Sequence, residues 1–176
     1  MRLMHLTMLV MMMFLPLLPP QVNEEPVIIV NKATHELSVF EEGHEVFNAS
    51  AAIGKTSELT PEGQFHVKVK AKDPYYRKKN IPGGAQENPL GTRWIGFDAR
   101  GTDGRIYGIH GTNRPESIGK SVSAGCIRLQ NKDVEKLFDI VSLESEVVIV
   151  KSNNEMKSIY DSWIRDGLNR MLNPAT

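Results

Sequence analysis

The chain has 176 residues and balances 21 Lys+Arg against 21 Asp+Glu, so its formal net charge is zero. That balance excludes the basic excess of a nucleic-acid-binding domain, and the length holds one domain with a short extension. A hydrophobic fraction of 40% suits an ordinary globular fold, and the single cysteine excludes an internal disulfide.

Met1 to Pro20, MRLMHLTMLVMMMFLPLLPP, is the most apolar stretch. Arg2 precedes an apolar run from Leu6 to Leu18, the layout of a secretory signal or an N-terminal membrane anchor. Pro16 interrupts the run, which is shorter than the ~20 apolar residues of a spanning helix. No small-x-small cleavage site follows it, and there is no lipobox cysteine. A buried core helix is the competing reading. Export is favoured, which places the protein outside the cytoplasm, secreted or anchored, with membrane contact through this segment alone.

The β-branched run Val27 to Asn31 predicts a strand. Leu37 to Phe40, a turn at Glu42-Gly43 and a return strand from Val46 to Ala52 predict an antiparallel meander. Gly54 to Gly63 reads as a loop. Phe65, Val67 and Val69 alternate with His66, Lys68 and Lys70, as in a strand with one wet face. His35, His44 and His66 stand in no metal-ligand spacing, so neither a metal nor another cofactor is expected. Asp73 to Gly91 carries three prolines, three glycines, two tyrosines and Arg77, Lys78 and Lys79. A connection of that length is either a lid over a polar, anionic substrate or a solvated loop.

Trp94 to Phe97 predicts a buried strand, Asp98 to Arg105 a hairpin turn, and Ile106 to His110 a strand that carries its histidine to the end. Ile118 to Ser123 reads as a loop. Val134, Leu137, Phe138 and Val141 predict a helix over Asn131 to Val141, with Asn131 as N-cap and Asp133 in the first turn. Glu146 to Lys151 predicts a last strand, and Ile159, Trp163 and Leu168 an amphipathic C-terminal helix. The expected divisions are a signal or anchor over 1–20, a catalytic domain over 27–151 and a helical extension over 152–176.

Tyr107 to Asn131, YGIHGTNRPESIGKSVSAGCIRLQN, is the densest stretch chemically. It holds Cys126, the only cysteine, and His110 upstream of it, among Gly108, Gly111, Gly119 and Gly125. Singly, the cysteine reads as a small buried hydrophobe and the histidine as a satisfied core or surface residue. Together, amid backbone that can turn tightly or approach a ligand, they read as nucleophile and base. A free thiol, of pKa about 8.5, is mostly protonated at neutral pH and needs a neighbouring base. Small residues before Cys126 would leave the N–H groups of Gly125 and Cys126 open to an oxyanion.

These residues also carry a family resemblance. HGT at His110–Thr112, PxSIG at Pro115–Gly119, and SxGCIRL at Ser123–Leu129 followed by Asn131, Asp133 and Val134 resemble the catalytic signature of L,D-transpeptidases, the YkuD-like domain. Gly54-Lys55, TPEGQF from Thr60 to Phe65 and NPLGTRWIGF from Asn88 to Phe97 are similar to its other recurring segments. The likeness runs from about Val27 to Val150. Where many members carry His directly before Gly-Cys, this chain has Ala124.

The resemblance implies a mainly β fold (β-rich α+β), a sandwich of mixed and antiparallel sheets with a short helix after the cysteine and a C-terminal helix. It implies thioester chemistry on peptidoglycan stem peptides, with Cys126 as nucleophile and His110 as base, and with transfer to an amine that cross-links the wall. Water as acceptor would make the chain an L,D-carboxypeptidase, and a non-catalytic wall-binding module is the remaining alternative of that fold. A cysteine peptidase of another fold would place a helix at Gly125–Cys126. Ser123 would orient the imidazole or simply make a turn. Arg128 would bind a substrate carboxylate or pair with Asp133. Gly111 would shape the wall beside the base.

Overall fold

Four consecutive β-branched residues favour an extended backbone covered on both faces. In the computed structural model, which describes residues 25–172, Val27–Asn31 (β1) is buried at every position. The expected signal or anchor over 1–20 lies outside the described residues. Glu36–Glu41 (β2) and His44–Ser50 (β3) complete an antiparallel meander. Glu42 and Gly43 both have positive φ, 49° and 82°, as a two-residue turn that follows the strand twist requires. The remaining elements are Ile53–Gly54 (β4), Gly63–Lys72 (β5), Arg93–Phe97 (β6), Tyr107–His110 (β7), Ser121–Ser123 (β8), Ile127–Arg128 (β9), Asn131–Ile140 (α1), Glu146–Val150 (β10) and Met156–Leu172 (α2).

Among the described residues eight strands form one sheet in the order β3-β2-β1-β10-β5-β6-β7-β9, and β4 pairs with β8. The β1–β10 and β7–β9 pairs are parallel, the other neighbours in the large sheet antiparallel. The first residues of β5 pair with β10 and the later ones with β6, across a register shift between Val67 and Val69. The sheet curls through this strand. Ile28, Val30, Leu37, Val147 and Ile149 from one half then share a single core with Val67, Ile95, Phe97, Ile109 and Ile127 from the other, and with Val134 and Leu137 of α1. The sandwich anticipated from sequence is thus made from two halves of one mixed sheet. The outer face of the first half, Val27, Ile29, Phe40 and Val148, is covered by Met156, Ile159 and Tyr160 of α2.

Two local expectations are corrected. The segment Ile118 to Ser123 ends in a strand, β8, whose two-residue partner gives no periodicity to read. Asn131 is the first helical residue rather than the N-cap, a place taken by Gln130 in extended conformation. Its side chain is engaged elsewhere: Oδ1 accepts the N–H of Thr112 at 3.0 Å and ties the start of α1 to the chain just beyond His110.

Candidate active site

The register of β6, β7 and β9 assembles the site. Ile95 pairs with Ile109, and Ile109 with Ile127, all pointing into the core. Successive side chains alternate between faces, so Trp94, Gly108, His110 and Arg128 take the other face, with Cys126 immediately before β9. Trp94 pairs directly with His110, and His110 with Arg128. The indole of Trp94 lies across Gly108, where a Cβ would stand 2.6 Å from Cζ2. It stacks on the His110 ring at 5.6 Å between centroids and 19° between planes. Its Nε1 donates to Gly104 O at 2.9 Å, which fixes the ring's tilt.

His110 is buried, and its Nδ1 lies 2.6 Å from Gly111 O. A carbonyl only accepts, so Nδ1 carries the hydrogen and Nε2 of the neutral ring carries the lone pair. Burial lowers the imidazole pKa to about 4; the charge of Arg128 acts in the same direction, and the Gly111 and Leu90 carbonyls act against it. The ring is therefore an unprotonated base at neutral pH. Cys126 is half-buried, with Sγ 3.5 Å from Ile106 O. Burial pushes its thiol up, while the Gly108 N–H, Arg128 and Lys78 pull it back. The resting pair is thus neutral thiol and neutral imidazole. Among the described residues no hydrogen bond joins the two.

The turn before Cys126 is built by Ser123. Its Oγ accepts the Gly125 N–H at 3.0 Å and donates to Cys126 O at 2.6 Å. Among the described residues the hydroxyl bonds the turn, and no hydrogen bond joins it to the imidazole. This also corrects the expected pair of oxyanion donors: the Gly125 N–H is taken, and Cys126 keeps the one N–H of the pair that Ser123 leaves unused. Cys126 follows a bend at Ala124–Gly125, between β8 and β9, and is not on a helix. Arg128 is partly buried, and among the described residues no carboxylate, Asp133 included, comes within 4.0 Å of its guanidinium. Gly111 enters through its carbonyl, which holds the imidazole.

Sequence reasoning missed Thr60. Fully buried, it donates from Oγ1 to Gly125 O at 2.9 Å and accepts the Gly54 N–H at 2.9 Å. Its place in TPEGQF marked a loop and gave no hint of a partner so distant in the chain.

Cys126 opens onto a cavity of about 450 Å³, floored by Val69, Ala71 and Trp94 and walled by Tyr75, Tyr76, Arg77, Lys78, Leu90, Arg105 and Ile106. The 73–91 segment forms most of that wall and is internally tied. Tyr76 bridges to Ile81, and Asn88 Nδ2 donates to Pro74 O and Pro82 O at 2.8 and 3.0 Å. A larger hollow of about 700 Å³ lies under α2 beside Phe40 and Trp163, and neither cysteine nor histidine lines it. Among the described residues no cluster of three or more His, Cys, Asp or Glu could hold a metal ion, and no helix is long and apolar enough to cross a membrane.

The model of the YkuD family, described as the L,D-transpeptidase catalytic domain, matches residues 25–149. The chain is 54% identical over 153 residues to the Bacillus subtilis protein "Putative L,D-transpeptidase YqjB", covering 85% of this chain and 87% of that one. It is 43% identical over 98 residues to "Putative L,D-transpeptidase YkuD" of the same organism, covering 56% of this chain and 49% of that one. Its fold is similar to that of L,D-transpeptidase 3 from Mycobacterium tuberculosis bearing a faropenem-derived adduct, with a TM-score of 0.57 at 19% identity over 72% of this chain and 60% of that one.

Proposed function

The chain belongs to the YkuD family of L,D-transpeptidase catalytic domains, and on that premise we propose that Cys126 and His110 carry out acyl transfer on peptidoglycan stem peptides outside the cytoplasm. The observation that carries this reading is the β7–β9 register, which puts a neutral, backbone-held imidazole, and a guanidinium that meets no carboxylate among the described residues, on the face where the sole cysteine opens onto a cleft. Because thiol and imidazole are both uncharged at rest, proton transfer accompanies attack rather than preceding it. Substrate entry turns the thiol from Ile106 O toward His110 Nε2. Catalytic hydrogen bonds absent from an empty site commonly form only in the substrate complex.

The sulfur attacks the carbonyl carbon of the bond between the stem's third residue and its terminal D-Ala. A C–S bond forms, the carbonyl π pair moves onto oxygen, and the thiol proton passes to Nε2. The oxygen pair then returns, the C–N bond breaks, and Nε2 gives its proton to the departing amine. An amine of a second stem attacks the thioester, sulfur leaves with the proton returned through His110, and a cross-link remains. Gly111 O holds the ring in the required tautomer throughout. Arg128, which meets no carboxylate among the described residues, receives one from the donor peptide, a role its planar fork suits. The N-terminal segment delivers or anchors the chain at the wall, residues 27–151 form the catalytic unit, and α2 braces it.

Intact-mass measurement after incubation with a carbapenem, whose ring carbonyl stands in for the donor bond, tests the nucleophile. The expected result is one adduct on the native chain and none on Cys126→Ala; an adduct on the alanine variant overturns the assignment. Incubation with a disaccharide-tetrapeptide then separates the acceptors, since cross-linked dimer marks an amine and tripeptide monomer marks water.

A further inference from the structure

The peptide unit Gly125–Cys126 is planar and trans, so its C=O and N–H point in opposite directions and whatever fixes one aims the other. Gly125 O is held by the buried hydroxyl of Thr60 at 2.9 Å. Thr60 is itself held at both ends. Its Oγ1 accepts the Gly54 N–H at 2.9 Å, and its carbonyl accepts from Lys32 Nζ at 2.8 Å. Lys32 is buried and also binds Ser57 O at 2.6 Å and Glu62 at 3.0 Å, so this loop is anchored to the end of β1. The contact is tight: a Cβ on Gly125, whose φ is +132°, would stand 2.6 Å from Leu59 O. On the opposite side Ser123 takes the Gly125 N–H and the Cys126 carbonyl. Three of the four backbone polar groups of Gly125 and Cys126 are therefore engaged by side chains. The fourth, the Cys126 N–H, precedes the β7–β9 ladder and points away from Thr60.

We propose that Thr60 is a positioning residue whose hydroxyl, acting through the Gly125 carbonyl, aims the Cys126 N–H at the oxyanion formed when Cys126 attacks the donor carbonyl. The inference rests on the acyl-transfer reading above. In that step the C–S bond forms, the carbonyl π pair becomes the oxyanion and the thiol proton goes to His110. The aimed N–H meets charge that exists only after the π pair has moved. A donor that must be in place before the charge develops contributes most when it cannot swing.

The bland alternative is that Thr60 only staples a loop, and two reactions of the same sulfur separate the readings. Acylation by a carbapenem passes through an oxyanion. Alkylation by iodoacetamide, at a saturated carbon, does not. Thr60→Val keeps the side chain's shape and removes the hydroxyl. It is expected to slow acylation about 10- to 100-fold, somewhat less than outright loss of an oxyanion donor, and to leave alkylation within about twofold. Thr60→Ser, which keeps the hydroxyl, restores most of the acylation rate. Equal slowing of both reactions, or unaltered acylation, overturns the proposal. If Thr60→Val does not fold, the wild-type acyl-enzyme decides: its carbonyl oxygen is expected within hydrogen-bond distance of Cys126 N in a crystal structure, and an oxygen turned elsewhere overturns the idea. Failure of the wild type to acylate at Cys126 would instead remove the functional reading itself.

Discussion

The two halves of the sheet share one core and differ in their outer faces. On the β1–β2–β10 side the outer face is Val27, Ile29, Phe40 and Val148, covered in part by α2 with Tyr160 stacked on Phe40 at 4.5 Å and a hollow left beside it. On the β5–β6–β7–β9 side no α-helix among the described residues takes the place of α2, and Val69, Ala71, Trp94 and Cys126 line a cleft rimmed by the 73–91 segment. The first face is made of side chains whose only contribution is area removed from water. The second spends its positions on a glycine, an imidazole, a thiol and a guanidinium, none of which adds much to a core. The core that both halves share supplies the stability that lets the second half's outer face hold polar groups beside a cleft.

The sharpest way to separate the halves is to remove function from one without touching the other. Cys126→Ala is expected to abolish acyl transfer, a fall of at least about 10⁴-fold in line with other nucleophile deletions, as read by product formation from a tetrapeptide donor. Unfolding free energy should move by less than about 1 kcal/mol, because the thiol is half-buried and opens onto the cleft. On the side that α2 covers, Ile29→Ala removes a fully buried side chain between sheet and helix. It is expected to cost about 2–5 kcal/mol in denaturant unfolding while kcat/KM of the folded fraction stays within about twofold. A large loss of kcat/KM there would mean that the two faces are coupled.

The buried base gives the comparison a pH signature. Folding lowers the His110 pKa to about 4, below the roughly 6.5 of the unfolded chain. Between those values the unfolded state binds the extra proton, so stability rises with pH across the window and is lost as pH falls through it. The native chain should therefore lose about 3 kcal/mol more than His110→Gln between pH 7 and pH 4, measured by denaturant melts at each pH. Equal losses in the two proteins would show that the imidazole is not desolvated as the fold implies.

The same contrast explains what the sequence made legible. The β1–β3 meander, the buried strand at Trp94 and the strand ending at His110 follow from local periodicity and turn chemistry, which act over a few residues. The proposed nucleophile and base, Cys126 and His110, are legible because cysteine occurs once and lies amid glycines. Local signals say nothing of β10 inserting between β1 and β5, because that pairing joins the two ends of the domain. Nor do they expose Thr60, whose partner Gly125 lies 65 residues away. Asn131 departs from its local reading for a related reason. A helix-start asparagine is an N-cap on local grounds, and only tertiary closure brings the Thr112 N–H to its side chain. Ser123 fits two readings on local grounds, and its bonds to Gly125 N–H and Cys126 O arise only when the turn closes around it.

The smallest expected effect concerns the one wall that the cleft does have. The long 73–91 segment contributes no residue to the hydrophobic clusters, yet it keeps its shape because Asn88, buried at its base, donates to Pro74 O and Pro82 O and accepts the Leu90 N–H at 3.0 Å. Asn88→Ala should leave these groups to water and loosen the wall that carries Tyr75, Tyr76 and Lys78. The expectation is a KM for the donor peptide raised roughly three- to tenfold, kcat within about twofold, and about 1–3 kcal/mol lost in unfolding. Asn88→Asp is the more telling variant. It keeps the shape and the acceptor for Leu90, but it turns a carboxylate oxygen toward two carbonyl oxygens, where no donor remains. If the wall is held by the amide's two N–H donors, Asp must do at least as much harm as Ala at neutral pH; a fully active Asn88→Asp enzyme would mean that packing alone shapes this side of the cleft.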